Sequence, residues 1–198
     1  MTDYKRNSAE TEAQIYAEAR RLFNLKGYVG MTLREIAAGV GIEAQSLYNY
    51  TKSKQDLVVA LMRQGTLAIQ EAVDKAVAEA DSAPTAQLWA ATFAHTEHYC
   101  SSNKVVLVRE GLVHLSADRR ADIVGLLKRY EETFKDILRC GMEAGEFRPL
   151  DVTPTCFAIL GMGESVVNWF DPDRRLAAVD VARTYADLAV RSVARPPA

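Results

Sequence analysis

Proline is nearly missing from the interior of this chain. Pro84 is the first, and only Pro149, Pro154, Pro172, Pro196 and Pro197 follow it, so long stretches are free to be helical. Cysteine is scarce as well. Cys100, Cys140 and Cys156 are odd in number and scattered, which excludes a disulfide framework and a CxxC metal or redox motif. No apolar run approaches the roughly 20 residues of a membrane span. The opening residues, Met1 to Ser8, carry charges of both signs with no apolar stretch behind them, so no secretory signal is expected and a cytoplasmic protein without a membrane partner is predicted. Strand-type alternation, internal repeats and low-complexity segments are lacking. So are a phosphate loop, an HExxH pair, a nucleophile with a neighbouring base and suggestively placed paired carboxylates. The chain is therefore not expected to be an enzyme or to need a cofactor. Neither sign of charge dominates, since 24 Lys and Arg face 26 Asp and Glu for a net charge of −2. That excludes a protein that coats nucleic acid indiscriminately but leaves room for a local basic surface.

What remains is periodicity of the helical kind. With 198 residues, 48% hydrophobic and 25% charged, the chain is long enough for a small module joined to a larger helical domain. A first helix is expected from near Ser8, with Ile15, Ala19, Leu22 and Phe23 on one face and Gly27 at its end. Thr32 with Glu35 three residues on is a capping box, opening a helix that turns Leu33, Ile36, Ala37 and Val40 inward. Gly39 and Gly41 break it, and a short helix from Glu43 to Tyr50 follows. Ser53 with Asp56 caps a long helix from Lys54 to about Asp81. Beyond Pro84, helices are predicted at 85–101, 104–115, 117–144, 153–170 and 176–194. In the third of these, Ile123, Leu126, Leu127, Tyr130, Phe134, Ile137, Leu138 and Gly141 follow the three-and-four spacing of a central bundle helix. The last two are apolar or small nearly all round. Gly161 and Gly163 are expected to let a second helix approach closely, and Ala178, Val181, Ala182, Tyr185, Leu188 and Ala189 to form a matching stripe toward a partner copy.

The segment from Thr32 to Tyr50 has the anatomy of a helix-turn-helix. Ala37 is small where the helices cross, Gly41 supplies the turn, and Ile42 and Leu47 pin the second helix. Its other face then offers Ala44, Gln45, Ser46 and Asn49, whose short or amide side chains suit base edges. Thr32, Arg34, Tyr48, Tyr50 and Lys54 flank them as candidate phosphate contacts, with helix N-termini at Thr32 and Lys54 adding dipole attraction. Glu43 either points away from DNA or accepts from a cytosine amine.

These residues, with Phe23, Gly27, Leu57 and the pair Ser53-Lys54, resemble the signature of the TetR family of transcriptional regulators over about Ile15 to Leu61. The chain departs from it at Glu43, where Ser or Thr is usual, at Gln45, where Gly is common, and at Thr51, where an aromatic residue is usual. All three departures are expected to bear on operator choice. The resemblance implies an all-α fold of about nine helices, with a three-helix DNA-binding head at 1–53 and a ligand-binding and dimerisation bundle at 54–198. It implies a homodimeric repressor that reads palindromic double-stranded operator DNA and is released by a small-molecule effector. The layout of the latter half is similar to family members that sense acyl-CoA thioesters. An enzyme, or a dimeric scaffold that uses the helical cavity without binding DNA, is the alternative.

An apolar cavity with a few polar groups would suit such an effector. Trp89, Phe93, Tyr130, Phe134 and Trp169, with Glu97, Arg109 and Asn168, are the candidates to line it. Each also reads as plain core or surface. His95, His98 and Cys100 around Glu97 have metal-like chemistry, but Cys100 lies off the histidines' face and no metal is expected. The pairs Arg119-Arg120 and Arg174-Arg175 read as solvated surface, or as a grip on an anionic headgroup.

Overall fold

The computed structural model describes residues 2–101 and 111–195, with side chains from Ser8 onward. Among them are eight α-helices: α1 Thr2–Gly30, α2 Leu33–Val40, α3 Ala44–Leu47, α4 Lys54–Glu79, α5 Pro84–Ser101, α6 Ala117–Glu143, α7 Val152–Glu164 and α8 Ala178–Val193, with a 3-10 turn at Ser165–Asn168 after α7. The fold is all-α, as the periodicity predicts. No helix among the described residues is long and apolar enough to cross a membrane. The chain forms two compact units: residues 1–65 with 105–124, and residues 66–104 with 125–198.

In the first unit, the predicted inward faces are inward. Ile15, Ala19, Leu22, Phe23, Ile36, Ala37 and Leu47 are buried. α1 begins at Thr2, earlier than the expected Ser8, and is broken at Gly27, whose φ of 67° is a conformation that glycine adopts without the cost of a Cβ. Gly41 (φ 77°) closes α2 in the left-handed conformation, and Ile42 N–H returns to the Ala37 carbonyl at 3.0 Å, as at other glycine-terminated helices. α3 is shorter than the predicted span to Tyr50. The N–H groups of Tyr48, Asn49 and Tyr50 bond three residues back, to the carbonyls of Gln45, Ser46 and Leu47, so the helix tightens into turns after one α-helical cycle.

The second unit is an apolar bundle. Phe134, Leu138, Phe147, Leu88, Val73, Ile159 and Val193 belong to one core. Gly141 is seated against the Phe147 ring, and a Cβ there would collide with it. Thr85 N–H and hydroxyl donate to Glu146 Oε2 at 2.9 and 2.6 Å, which occupies an N–H in the first turn of α5 that has no intrahelical acceptor.

Two expectations for the last helices are corrected. The penultimate helix stops at Glu164 rather than Phe170, and the 3-10 turn takes over as Ser165 Oγ donates to the Met162 carbonyl at 2.6 Å. Such a back-bond competes with the helix ladder, and Gly161 and Gly163 are weak helix formers. Gly163 is not open to a partner, since a Cβ there would collide with the His95 ring of α5. Likewise Val181, Ala182 and Ala189 of α8 are buried within their own chain, together with Ala186 and Val193, and only Leu188 of the predicted stripe is exposed. A helix apolar on several sides does not declare which side meets its own core.

Candidate nucleic-acid interface

The geometry of the helix-turn-helix is fixed by short polar devices. Thr32 Oγ1 accepts from Glu35 N–H at 3.2 Å while Glu35 Oε2 accepts from Thr32 N–H at 3.0 Å, completing the predicted capping box. The other carboxylate oxygen of Glu35 pairs with Lys26 Nζ at 2.6 Å, tying α2 to α1. The Lys26 and Thr32 contacts hold the Glu35 carboxyl below the usual carboxylate range. At the start of α4, Asp56 N–H donates to Ser53 Oγ at 3.1 Å and Ser53 Oγ–H donates to Asp56 Oδ2 at 2.7 Å.

On this frame Leu47 is fully buried, whereas Ala44, Gln45, Tyr48 and Asn49 are exposed and Ser46 and Tyr50 half-buried. A four-residue helix pinned by one leucine thus turns its polar side to solvent. Thr32, the N-cap of α2, and Arg34 within it are exposed as well. Glu43 is also exposed and its side chain makes no cap hydrogen bond. Thr51 is buried and its hydroxyl donates to the Ser53 carbonyl at 2.9 Å. Its departure from the family pattern therefore acts underneath the motif rather than on the exposed face.

Lys54 does not extend into solvent. Its ammonium donates to the carbonyls of Tyr28 at 2.7 Å and Met31 at 3.0 Å and lies 4.3 Å from the Tyr28 ring centroid. Carbonyls at a helix C-terminus have no intrahelical donor, and Lys54 supplies one. Lys52, two residues earlier, is exposed. Sequence reasoning missed Tyr28, Gln55, Asp56 and Arg119, which with Lys52, Ser53 and Lys54 line a surface cleft of about 620 Å³. Arg119, on sequence alone a solvated surface residue or a grip on an anionic headgroup, donates to Gln55 Oε1 at 3.1 Å and Asp56 Oδ1 at 2.5 Å. A pairing 63 residues apart leaves no local pattern. Arg174, by contrast, pairs with its neighbour Asp171.

The effector candidates lie in different settings. Phe134 is fully buried core. Trp89 stacks on Phe93 with centroids 5.1 Å apart and donates its indole N–H to Asp187 at 2.8 Å. Trp169 and Asn168 are exposed at the 3-10 turn, with Trp169 stacked on Tyr185. Glu97 is half-buried, and Arg109 lies outside the described residues. Tyr130 is buried and bonds His95 Nδ1 at 2.5 Å. Because His95 Nε2 faces the Leu160 carbonyl at 3.0 Å, Nε2 must donate and Nδ1 accept from the Tyr130 hydroxyl. That neutral tautomer suits its surroundings, since burial pushes the imidazole down to about 4 by disfavouring the charged form. With both nitrogens engaged, His95 has none to offer a metal. Among the described residues, no group of three or more His, Cys, Asp or Glu is placed to hold one.

Comparison with known proteins agrees with this arrangement. Residues 15–61 match the family described as bacterial regulatory proteins, tetR family, and residues 81–193 match the tetracyclin repressor-like C-terminal domain. The HTH-type transcriptional repressor KstR2 of Mycobacterium tuberculosis is 28% identical over 182 residues, covering 89% of this chain and 90% of the relative. The TetR family transcriptional regulator PfmR from Thermus thermophilus superposes with a TM-score of 0.80 at 32% identity, covering 90% of this chain and 97% of that one. AibR, solved in complex with isovaleryl coenzyme A and operator DNA, gives a TM-score of 0.80 at 26% identity with the same two coverages.

Proposed function

The chain belongs to the TetR family of bacterial regulatory proteins, and from that premise we propose that it is a ligand-responsive transcriptional repressor that binds palindromic operator DNA as a homodimer. The observation that carries the reading is the outward face of α3: Gln45, Tyr48 and Asn49 stand exposed while Leu47 beneath them is fully buried. Nothing in the packing of the unit requires so polar and so rigidly held a face. Gln45 and Asn49 carry the amides that pair with adenine in the major groove. Thr32, Arg34, Tyr48 and Tyr50 flank them for phosphate, as Lys52 does from before α4. Ala44 and Ser46 keep the surface low, and Glu43 faces a base rather than a phosphate, where its charge would be repelled. Lys54 acts from behind, holding α1 to the start of α4.

A dimer is supported by apolar surface left open on the second unit. Phe157 and Gly161, one turn apart on α7, are exposed, as are Val179 and Leu188 on α8 and Trp169 between them. An isologous pairing of α7 and α8 with their copies would cover these residues and present two heads to two half-sites. The effector we propose is an apolar acyl thioester, since AibR carries isovaleryl coenzyme A. It acts by binding better to the conformation in which the heads are wrongly spaced.

Fluorescence anisotropy at fixed salt, with duplexes drawn from the DNA beside the chain's own gene, tests the reading. One site is expected to bind at least about a thousandfold more tightly than random duplex. Gln45→Ala should relax the preference at one position, Tyr48→Ala should weaken all duplexes, and a member of an acyl-CoA panel should release the complex. A protein that prefers no duplex overturns the proposal.

A further inference from the structure

The first unit contains a piece of chain that the helix-turn-helix does not require. Residues 111–124 fold with the head. Gly111 sits against the Met62 side chain, leaving no room for a Cβ. The His114 ring stacks on Tyr28, with centroids 4.6 Å apart and planes 10° from parallel. Ser116 N–H and Arg119 Nη1 both donate to Gln55 Oε1, at 3.3 and 3.1 Å, and Arg119 Nη2 donates to Asp56 Oδ1 at 2.5 Å. One guanidinium fork thus grips two consecutive side chains in the first turn of α4.

We propose that Arg119 is a positioning residue for DNA binding: it fixes the first turn of α4 and neutralises Asp56, the carboxylate in the cleft that incoming phosphate would meet. The inference rests on the operator-binding reading above. Among the residues lining that cleft, Lys52 is the exposed cation and Lys54 is committed to the Tyr28 and Met31 carbonyls. Asp56 is the acid among them. Its carboxyl is held below its ordinary range by the Ser53 hydroxyl first and by Arg119 second, so it is ionised when DNA arrives. Without Arg119 the carboxylate would keep the Ser53 hydroxyl but lose its paired cation and draw on the charge of Lys52 instead, and Gln55 would lose its guanidinium donor. The planar fork matters because it aims two N–H groups at fixed separation, one at each acceptor, whereas an ammonium on a flexible stem acts as a point charge. The Asp56 and Arg119 side chains are about one-third and two-fifths exposed, so the effect belongs to DNA affinity more than to folding.

The test uses the full-length protein, the best duplex from the anisotropy experiment and one fixed salt concentration. Arg119→Gln is expected to weaken binding about tenfold, and adding Asp56→Asn to recover it to within about threefold of the unaltered protein. A structural pair would also be relieved by removing the stranded carboxylate, so the urea midpoint of each variant is measured alongside, and the affinity loss is expected without a matching loss of stability. Arg119→Lys, which keeps the charge but not the fork, is expected to lose about threefold and decides the matter should Arg119→Gln fail to fold by circular dichroism. Unaltered affinity in either variant, or an Arg119→Gln defect that Asp56→Asn leaves in place, overturns the inference alone. An unaltered protein with no preferred duplex overturns the operator reading and this one with it.

Discussion

The two units are held together by different physics. In the first, the decisive side chains are exposed and must be aimed by short-range polar bonds: the Thr32–Glu35 box, Lys26 on Glu35, Lys54 on two carbonyls and Arg119 on Gln55 and Asp56. In the second, large side chains such as Phe134, Phe147 and Leu138 are fully buried, and His95, the one histidine buried there among the described residues, has both nitrogens engaged. A surface that reads a partner cannot be oriented by its own burial, so it borrows rigidity from caps and clasps. A bundle core needs only volume and satisfied polar groups. Changes of similar energy should therefore have unlike consequences in the two units.

The largest contrast is expected from truncating one buried residue in each. Leu47 is the buried residue of α3, and a four-residue helix has no stability of its own. Leu47→Ala should cost about 2–5 kcal/mol and abolish specific duplex binding, because the exposed face loses its anchor. Phe134→Ala should cost about 3–5 kcal/mol in urea unfolding yet leave the folded fraction with its duplex preference. If Leu47→Ala retained sequence preference, the comparison would break.

A second contrast concerns protons. The unfolded His95 imidazole titrates near 6.5, the folded one only near 4. Between those values the unfolded chain binds more protons, so stability rises with pH through this window, is fully present above it and is lost as pH falls toward 4. The span is worth about 3 kcal/mol. Urea midpoints measured from about pH 7.5 down to about pH 4 should show that loss, and His95→Phe should flatten that part of the profile. An unchanged profile in the variant would mean that the fall comes from other groups.

The same division explains what could be read from the sequence. The capping box, the Gly41 turn and the Leu47 anchor each lie within a few residues, so local spacing announces them. The Lys54 clamp and Arg119 clasp join residues 26 and 63 apart, and a lysine or arginine gives no sign in sequence of which distant acceptor it will reach. Lys54, expected at a phosphate, gives two of its three donors to the Tyr28 and Met31 carbonyls. The inward stripe of α6 was legible because one side is plainly apolar, and Ile123 in the first unit and Leu126, Tyr130, Phe134, Ile137 and Leu138 in the bundle are all buried. α7 and α8 were not, because their small and apolar residues occupy several sides. The effector candidates suffer from the same ambiguity: an aromatic residue in a helical bundle fills a core and lines a cavity with identical chemistry.

The smallest predicted effect separates those two sides of α7 with one methyl group. Gly161 and Gly163 are two residues apart, so they face different directions on the helix. A Cβ at Gly163 would collide with His95, whereas nothing lies within 4 Å of a Cβ at Gly161. Gly163→Ala should therefore displace the imidazole from its two partners and cost about 1–3 kcal/mol whatever the protein concentration. Gly161→Ala should leave the isolated chain unharmed, or stabilise it by up to about 1 kcal/mol through helix propensity alone. If the exposed face of Phe157 and Gly161 is the dimer seam, the added methyl must be accommodated between two helices, and self-association should weaken in sedimentation equilibrium while the dilute melting temperature holds or rises. A dimer indifferent to Gly161→Ala would move the seam elsewhere, and the exposed apolar residues of α7 would then need a different occupant.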